Sequence, residues 1–447
     1  KNLKEVSSTS SDNLWTLPCG RQPALMTKIF PLLATSAAIV LISAIAIKKL
    51  NSFANSSEKD KKRVVVGIDL GATNAKAGVV TAEGVLLASA KSPLASLEPA
   101  PVVASLVAVV REALANAGLQ LDNVAAVGVG SPGHIFHGHV RAAANFPTWR
   151  NVPLAEMLSV ALSGCPVRLV NDANAALLAE CWVGACINNG GCGDDCRNGS
   201  HKNVVMVTLG SGVGVAVLSD GVLLQGSRGL IEAGHSIIHF GNNQINRRVG
   251  GDGSEDTATA DPPPARECGC GQHGCIEAYV SANSVRKRFA EARKLRFGSI
   301  EGEDMSTADI FSLAATCTLD ASTDTADAPA AEGAAEGGGE KAAEVSSRVQ
   351  TDPLLSSLAA EVVDETARYL ALFCINICRF YDTRTILLGG GMADAGRALL
   401  DPVRKYFQAF RWTSLGDHSD LICFAKLGQQ AGVVGAAAVV KDLIPLS

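Results

Sequence analysis

The sequence has 447 residues, of which 47% are hydrophobic and 19% charged, so it is long enough for two domains with buried cores. Its formal net charge of -5 and pI near 6.0 argue against a nucleic-acid partner, because a polyanion requires clustered Lys and Arg. The 13 cysteines are odd in number and include one tight cluster, which favours a reduced compartment and a metal site over a disulfide framework.

The N-terminal part of the chain has three segments of different character. Residues 1–28 are rich in serine and lack apolar periodicity, so we expect disorder there. Residues 29–47 contain no charge and, as a helix, would nearly span the roughly 30 Å core of a bilayer. Residues 48–63 form a basic linker, which favours a tether with the large domain on the cytosolic face. A targeting sequence or a buried helix is the alternative, and the sequence does not identify which membrane or organelle is involved.

From Val64 onward, short apolar strands alternate with helices, a pattern typical of α/β proteins. The predicted strands lie at 64–70, 74–80, 85–90, 124–130, 167–170, 204–210, 214–219 and 385–390. Helices are predicted at about 102–118, 153–162, from Asp172, at 354–382 and at 430–445. A strand–Gly turn–strand unit occurs twice, which predicts two related domains over 64–171 and 172–429, with the helix at 430–445 packing on the first.

Three polar stretches interrupt this pattern, at 188–202, 241–266 and 320–347. Each has too few apolar residues to offset the entropy lost on ordering, so we expect mobile loops.

The first motif is GIDLGATNAKAG, in which a strand ends at an aspartate and a small-residue turn enters a second strand. Backbone N–H groups in such a turn can bind phosphate oxygens, and Asp69 at the strand end can hold Mg²⁺. An ordinary β-hairpin is the alternative. The positions predicted to contact the nucleotide or its metal are Asp69, Gly71, Thr73, Asn74 and Lys76.

Two further glycine turns follow apolar strands, in LGSGVGVAV and in LLGGGMADAG. Glycines allow a ligand to approach the backbone closely, although strand–turn–helix packing alone also uses them. The predicted nucleotide contacts are Gly210, Ser211, Gly212, Gly389, Gly390 and Gly391.

Asp172, in LVNDANAALLAE, lies where a strand passes into a helix. Catalytic groups are common at the carboxyl end of a sheet, but an aspartate there can equally be a helix N-cap. Both interpretations stay open on local grounds.

The most specific motif joins IEAGH to CGCGQHGCIE across a polar loop. Cys268, Cys270 and Cys275 lie within eight residues and, with His235, can surround one tetrahedral zinc ion. The Cys-x-Cys spacing is tighter than the commonest zinc spacing, so the spacing alone does not require a metal. We expect His273, in the same loop, to face solvent.

In this order the motifs resemble the ROK family (repressors, uncharacterised reading frames and kinases) from about Val64 to Val440, with the three stretches inserted. The family's hallmark pairs Glu-x-Gly-His with Cys-x-Cys-Gly-x-x-Gly-Cys-x-Glu, and both are present. The resemblance implies an actin-like ATPase (ribonuclease H-like) fold, with two α/β domains around a cleft that binds ATP and a sugar. The segment AANFPTWRNVPL looks most like bacterial-type glucokinases, which implies ATP-dependent phosphorylation of glucose to glucose 6-phosphate with Mg²⁺ and Zn²⁺.

The resemblance also implies roles for individual residues. Asp172 would be the general base, and the sugar hydroxyls would be bound by Asn145, Asn171, Glu232, His235 and Glu277. The chain departs from the family in Gly-Ala-Thr for Gly-Gly-Thr, in Gly-Ser-Gly for Gly-Thr-Gly, and in the stretch 241–266 between His235 and the cysteines.

Other functions within this resemblance stay open. A transcription regulator would need a helix-turn-helix domain, where this sequence has a charge-free run. An N-acetylhexosamine kinase, a fructokinase and a non-catalytic sugar sensor are the remaining alternatives. For partners we expect a hexose, ATP and further copies of the chain in a homodimer or homotetramer.

Overall fold

The computed structural model describes residues 64–186, 202–229, 231–239, 264–298, 305–320, 352–410 and 419–444. All of them belong to one compact unit, residues 59–447. The predicted disordered segment, tether and basic linker of the first 63 residues lie outside the described residues. Within the described part, one helix, Pro99–Asn116, is long and apolar enough to cross a membrane by composition, and its buried face packs in a protein core.

The strands, in chain order, are β1 (Val64–Leu70), β2 (Asn74–Val80), β3 (Leu86–Pro93), β4 (Val124–Ser131), β5 (His134–Phe136), β6 (His139–Ala142), β7 (Val167–Asn171), β8 (Val204–Leu209), β9 (Val213–Ser219), β10 (Val222–Leu223), β11 (Thr385–Gly389) and β12 (Ile422–Phe424). The α-helices are α1 (Pro99–Asn116), α2 (Leu154–Ala161), α3 (Asp172–Val183), α4 (Glu277–Val280), α5 (Ala282–Phe297), α6 (Thr307–Asp320), α7 (Pro353–Tyr381), α8 (Arg397–Phe410) and α9 (Ala431–Ala438).

Two five-stranded sheets share one topology. The first has the order β3-β2-β1-β4-β7 and the second the order β10-β9-β8-β11-β12. In each, the first three strands form an antiparallel meander, the central strand pairs in parallel with the fourth, and the fourth pairs in parallel with the fifth. The central strands β1 and β8 are apolar and almost entirely buried, as expected where helices cover both faces of a sheet. The fold class predicted from the sequence, α/β with a repeated strand–turn–strand unit, is therefore confirmed.

Helices α3 and α9 lie next to each other, and small residues allow their close contact with the sheets. A Cβ atom at Gly67 of β1 would lie 1.9 Å from the carbonyl oxygen of Val433, and one at Gly128 of β4 would lie 1.7 Å from that of Ala436. The backbone of α9 therefore rests directly on the first sheet. A Cβ atom at Gly435 would lie 1.7 Å from the carbonyl oxygen of Ala175, so α9 also touches the backbone of α3.

The ends of the three stretches predicted as mobile loops are ordered parts of the fold. Lys202 accepts a backbone hydrogen bond from Gly221, at 2.8 Å. Ala265 is buried and Arg266 pairs with Glu291 at 2.8 Å, so the loop prediction was wrong for this end. Asp320 is the last residue of α6 rather than the start of an insertion. The remainder of each stretch lies outside the described residues.

Candidate functional site

Three parallel strands of the first sheet end at one edge. Asp69 of β1 is aligned with Gly130 of β4, and Ser131 is aligned with Asn171 of β7. Because the carboxyl ends of parallel strands meet at the same edge, Asp69, Asn171 and the following Asp172 stand together there. The sheet thus brings together the residues predicted to hold Mg²⁺ and to take the proton.

Asp172 is the first residue of α3, and Asn171 rather than Asp172 is the N-cap. Burial raises the pKa of Asp172 to about 6; the Ala173 N–H, which donates to Oδ1 at 2.9 Å, lowers it, and the charges of Asp69 and Glu232 raise it again. The residue is nevertheless accessible to solvent, so a ligand can reach it although protein atoms surround it closely enough to raise its pKa. A carboxyl group with a pKa near 6 can accept a proton and is still mostly ionised above pH 7.

Asp69 is half-buried and faces the N-terminal turn of α9. Burial raises its pKa, and Lys76, its cross-strand neighbour on β2, lowers it. A Cβ atom at Gly432 would lie 2.7 Å from the Asp69 carboxylate, so only glycine leaves room for that group. In the adjoining turn Gly71 N donates to Asn74 O at 3.0 Å, which fixes a tight bend at the same edge.

The other two glycine turns lie side by side at the carboxyl ends of β8 and β11. In the first of them Gly210 N donates to Gly212 O at 3.0 Å. Gly390 has φ of 83°, and a Cβ atom there would lie 2.4 Å from Leu209 O, so this turn packs on the end of β8. Ser211, which lies between Gly210 and Gly212, is exposed.

The second sheet also touches the start of α3. A Cβ atom at Gly214 of β9 would lie 3.0 Å from the Cβ of Ala173. The strand that leaves the Gly210–Gly212 turn therefore contacts the residue that follows Asp172, and both sheets contribute to one site.

Glu232 and His235 reach the site on a short segment that contains a 3₁₀ turn, Ala233–His235. Burial raises the pKa of Glu232, His235 and His134 lower it, and Glu277 raises it. Because Glu232 also raises the pKa of Asp172, these side chains form one electrostatic group.

The cysteine cluster is formed by a tight turn beside this segment. Cys268 N donates to Gln272 O at 2.7 Å, and Ile276 N donates to Ser236 O at 2.9 Å, which aligns the turn with His235. The ligand atoms of His235, Cys268, Cys270 and Cys275 all lie within 4.8 Å of one another. His273 is exposed, as predicted.

Two distances in this cluster can be compared with those of a tetrahedral zinc site. Zn–S bonds near 2.3 Å and Zn–N bonds near 2.0 Å imply ligand separations of about 3.8 Å for S···S and about 3.5 Å for S···N. The Cys270 Sγ–Cys275 Sγ distance is 3.7 Å and the Cys268 Sγ–His235 Nδ1 distance is 3.5 Å. The residues present therefore fit a bound zinc ion.

Glu277, the first residue of α4, connects the cysteine turn to the second sheet. Its Oε2 accepts from Val213 N at 2.9 Å, and its Oε1 lies 3.6 Å from Cys268 Sγ. A Cβ atom at Gly212 would lie 2.6 Å from Oε2, so the glycine makes space for this carboxylate.

The two asparagines predicted to bind the sugar have different surroundings. Asn171 Oδ1 accepts from Ala173 N at 3.0 Å and its Nδ2 donates to Gly133 O at 3.2 Å, so the amide is held in one orientation. Asn145 is exposed in a turn supported by the stacked rings of Phe146 and Trp149, and within the described residues no hydrogen bond joins its side chain to the acidic group.

Sequence reasoning missed two residues, one near the site and one at the far end of α3. His134, directly after Gly133, bonds through Nε2 to the carbonyl oxygen of Arg228 and influences Glu232. Glu180, on α3, is fully buried and holds the segment that leads to α9. The charged Glu180 within an otherwise alanine-rich helix was a signal of a special role, whereas nothing in the sequence separates His134 from a surface residue.

Comparisons with known proteins agree with this architecture. A model of the ROK family matches residues 65–336 and 336–443. The chain is 29% identical over 387 residues to a glucokinase of Thermotoga maritima, covering 86% of this chain and 99% of the relative. It is 27% identical over 384 residues to a glucokinase of Halalkalibacterium halodurans, covering 85% and 96%. Over a shorter stretch of 218 residues it is 33% identical to an N-acetyl-D-glucosamine kinase of Pectobacterium atrosepticum, covering 48% and 62%.

Solved structures show the same fold. A ROK family glucokinase from Streptomyces griseus, in complex with glucose and AMPPNP, superimposes with a TM-score of 0.55 and 26% identity, covering 84% of this chain and 98% of that one. A ROK hexokinase from Thermus thermophilus gives 0.56 and 25%, covering 85% and 99%. The two sheets of equal order and the turns at their edges thus define an actin-like ATPase fold of the sugar-kinase type. The chain belongs to the ROK family.

Proposed function

We propose that this protein is an ATP-dependent hexose kinase whose main substrate is glucose, which it converts to glucose 6-phosphate. The relatives named glucokinase that align over nearly their whole length support the reaction class. The observation that carries the proposal is the placement of Asp172, with a pKa of about 6, beside Asp69 at the carboxyl edge of the first sheet.

Each part of the reaction has residues suited to it. A sugar hydroxyl is a poor nucleophile until a base takes its proton, and Asp172 is the group with a suitable pKa. The turns at Gly71 and Gly210–Gly212 offer backbone N–H groups to the phosphates of ATP, and Lys76 adds positive charge. Asp69 would hold Mg²⁺, which neutralises charge on the phosphates.

We assign the sugar to the side of the site formed by Glu232, His235 and Glu277, with Asn145 and Asn171 as further ligands. Carboxylates, an imidazole and amides supply the acceptors and donors that a polyhydroxyl ligand requires. His235 Nδ1 lies on the cysteine side, which leaves Nε2 for a hydroxyl.

The substrate is tested by a screen of ADP release from purified protein against a panel of hexoses, with Asp172→Asn as the blank. We expect the highest kcat/KM with glucose. The N-acetyl-D-glucosamine kinase among the relatives makes N-acetylhexosamines the second candidate, so the panel includes N-acetylglucosamine, N-acetylmannosamine and fructose. Sugar binding without ADP release from any of them would identify a sensor and contradict the proposal.

We further propose that His235, Cys268, Cys270 and Cys275 hold one zinc ion. Burial raises the pKa of Cys268 to about 12, so its thiolate needs a neighbouring cation to persist at neutral pH. The zinc would fix the orientation of the His235 ring and of the turn that precedes Glu277. Metal analysis should find about one zinc per chain, retained in Cys165→Ser and lost in Cys270→Ser; wild-type protein without zinc would disprove the assignment.

Two proposals concern the whole chain. The charge-free run at 29–47 followed by basic residues supports a single-pass tether that places the kinase on the cytosolic face of a membrane, and we expect the catalytic part to form a homodimer or homotetramer. Full-length protein should resist carbonate extraction, whereas a chain starting near Glu58 should be soluble and equally active. A mature N-terminus beyond Ile47 would show that the run is a targeting signal and leave the kinase cytoplasmic or within an organelle.

A further inference from the structure

The C-terminal end of α3 holds two thiols in contact, away from the residues of the active site. Cys181 Sγ and Cys186 Sγ are 3.6 Å apart. Cys181 is partly exposed and Cys186 is 5% exposed. Neither of them forms a disulfide in this structure.

Backbone hydrogen bonds bring these thiols together. After α3 ends at Val183, the N–H groups of Gly184 and Cys186 both donate to Glu180 O, at 3.2 and 3.1 Å. Between them Ala185 N donates to Glu180 Oε2 at 2.6 Å. The chain thus folds back over the last turn of the helix and places Cys186 against Cys181, so the contact is fixed by the fold and not only by side-chain rotation.

The surroundings of the pair fit oxidation better than metal binding. A structural zinc ion takes four protein ligands, and in the described part of the chain the four-ligand cluster is the one at His235. The hydrogen bond with Cys181 and burial both hold the pKa of Cys186 above its usual range, and Cys423 raises it further. Cys186 therefore stays protonated, whereas the more exposed Cys181 is the sulfur that a small molecule can reach.

We propose that Cys181 and Cys186 are an oxidisable pair that a hydroperoxide converts to a disulfide. The Cys181 thiolate attacks one peroxide oxygen, the O–O bond breaks, and a sulfenic acid forms as the first water leaves. The Cys186 sulfur then attacks the sulfenic sulfur while its proton passes to the sulfenic oxygen, the S–O bond breaks, and the disulfide forms as the second water leaves. In total the two thiols lose two protons and two electrons, and one hydrogen peroxide becomes two waters.

The geometry allows this step with a small movement. An S–S bond of about 2.05 Å requires the sulfurs to approach by about 1.5 Å. The pair lies next to Glu180, whose Oε1 accepts from Lys426 N at 3.0 Å and Leu427 N at 2.8 Å. The disulfide would therefore form at the junction of α3 with the segment leading to α9.

The test exposes the reduced, full-length protein to hydrogen peroxide, with free glutathione as an internal reference, and then blocks remaining thiols with N-ethylmaleimide. Chymotryptic cleavage after Trp182 separates Cys181 from Cys186, so a disulfide is seen as two linked peptides by mass spectrometry without reduction. We expect the Cys181–Cys186 link at fivefold or higher occupancy than any other disulfide, with loss of the link on treatment with dithiothreitol.

Matched variants show which cysteine forms the disulfide with Cys181. The fragment that carries Cys186 also contains Cys192 and Cys196, so the link must persist in the double variant Cys192→Ser/Cys196→Ser and disappear in Cys186→Ser. Cys165→Ser, elsewhere in the fold, should leave it unchanged. Linkage of Cys181 to Cys192, Cys196 or Cys423 in wild-type protein overturns the proposal, as does alkylation of both thiols under conditions that oxidise the glutathione.

Discussion

Helix α3 has a carboxylate at each end, and their surroundings differ. At the N-terminal end, Asp172 is exposed, accepts one hydrogen bond from the adjoining backbone, and has the charges of Asp69 and Glu232 nearby. At the C-terminal end, Glu180 is fully buried and accepts from three backbone N–H groups, those of Ala185, Lys426 and Leu427.

The comparison separates a reactive carboxylate from a structural one. The oxygens of Glu180 are occupied by amides, so its negative charge is stabilised and unavailable to a ligand. Asp172 has free acceptor positions and a pKa raised to about 6, so its charge is poorly compensated and can take up a proton. Burial affects both carboxylates; Asp172 differs in that one backbone N–H donates to it and the charges of Asp69 and Glu232 add to the rise of its pKa.

The largest expected effect is on turnover at the N-terminal end. Asp172→Asn keeps the shape of the side chain but cannot accept the proton, so we expect kcat to fall by about 10²–10⁴-fold. Sugar binding, measured by calorimetry, should stay within about tenfold. Glu180→Gln, assayed well below its unfolding temperature, should keep kcat within a few-fold. Turnover of Asp172→Asn above a tenth of wild type would remove Asp172 from the role of base.

The next effect is on stability at the C-terminal end. Glu180→Gln places an amide donor against backbone N–H donors, so we expect the free energy of unfolding in urea to fall by about 2–4 kcal/mol. Glu156→Gln is the matched control because Glu156 is exposed on α2, and its effect should be within about 0.5 kcal/mol. Equal stability of the two variants would contradict the structural role of Glu180.

The sequence allowed much of this helix to be predicted, but not the difference between its ends. The start of α3 at Asp172 and the strands on either side followed from apolar runs bounded by glycine and polar residues. That Asn171 is the N-cap depended on backbone angles, and the partners of Glu180 are 246 and 247 residues away along the chain. Local pattern carries no information on such distant contacts.

Other parts of the molecule show where sequence patterns suffice and where they do not. The cysteine spacing predicted the cluster with His235, because the chemistry of those residue types is recognisable in the sequence. The short strands β5, β6, β10 and β12 and the helices α5, α6 and α8 were not predicted, since their apolar residues are few or irregular and their position depends on tertiary packing.

A smaller expected effect is on the free energy of unfolding, which the charge of Asp172 lowers. Its pKa is about 6 in the folded protein and 3.8 in the reference state, so the charge destabilises the fold above about pH 6 and this cost disappears below pH 3.8. Since the side chain reaches water, screening reduces the cost, and we expect Asp172→Asn to be more stable than wild type by about 1 kcal/mol or less at pH 8. The gain should shrink as the pH falls from 6 towards 4 in parallel thermal melts, whereas Glu156→Gln should show no such trend. A loss of stability at pH 8 would mean that Asp172 is stabilising, like Glu180.

The smallest expected effect is a shift in the pH below which kcat/KM falls. If Asp172 is the base, kcat/KM for the sugar should fall about tenfold per unit below about pH 6, where the carboxylate becomes protonated. The charge of Glu232 raises the pKa of Asp172, so Glu232→Gln should move this limb to lower pH, by less than about one unit, besides weakening sugar binding. Glu180→Gln removes an equal charge from the same helix, but Glu180 lies about 12 Å along α3 from Asp172, so in this variant the fall of kcat/KM should begin at the wild-type pH. A shift of equal size in both variants would show that Asp172 responds to total charge rather than to the carboxylates that face it.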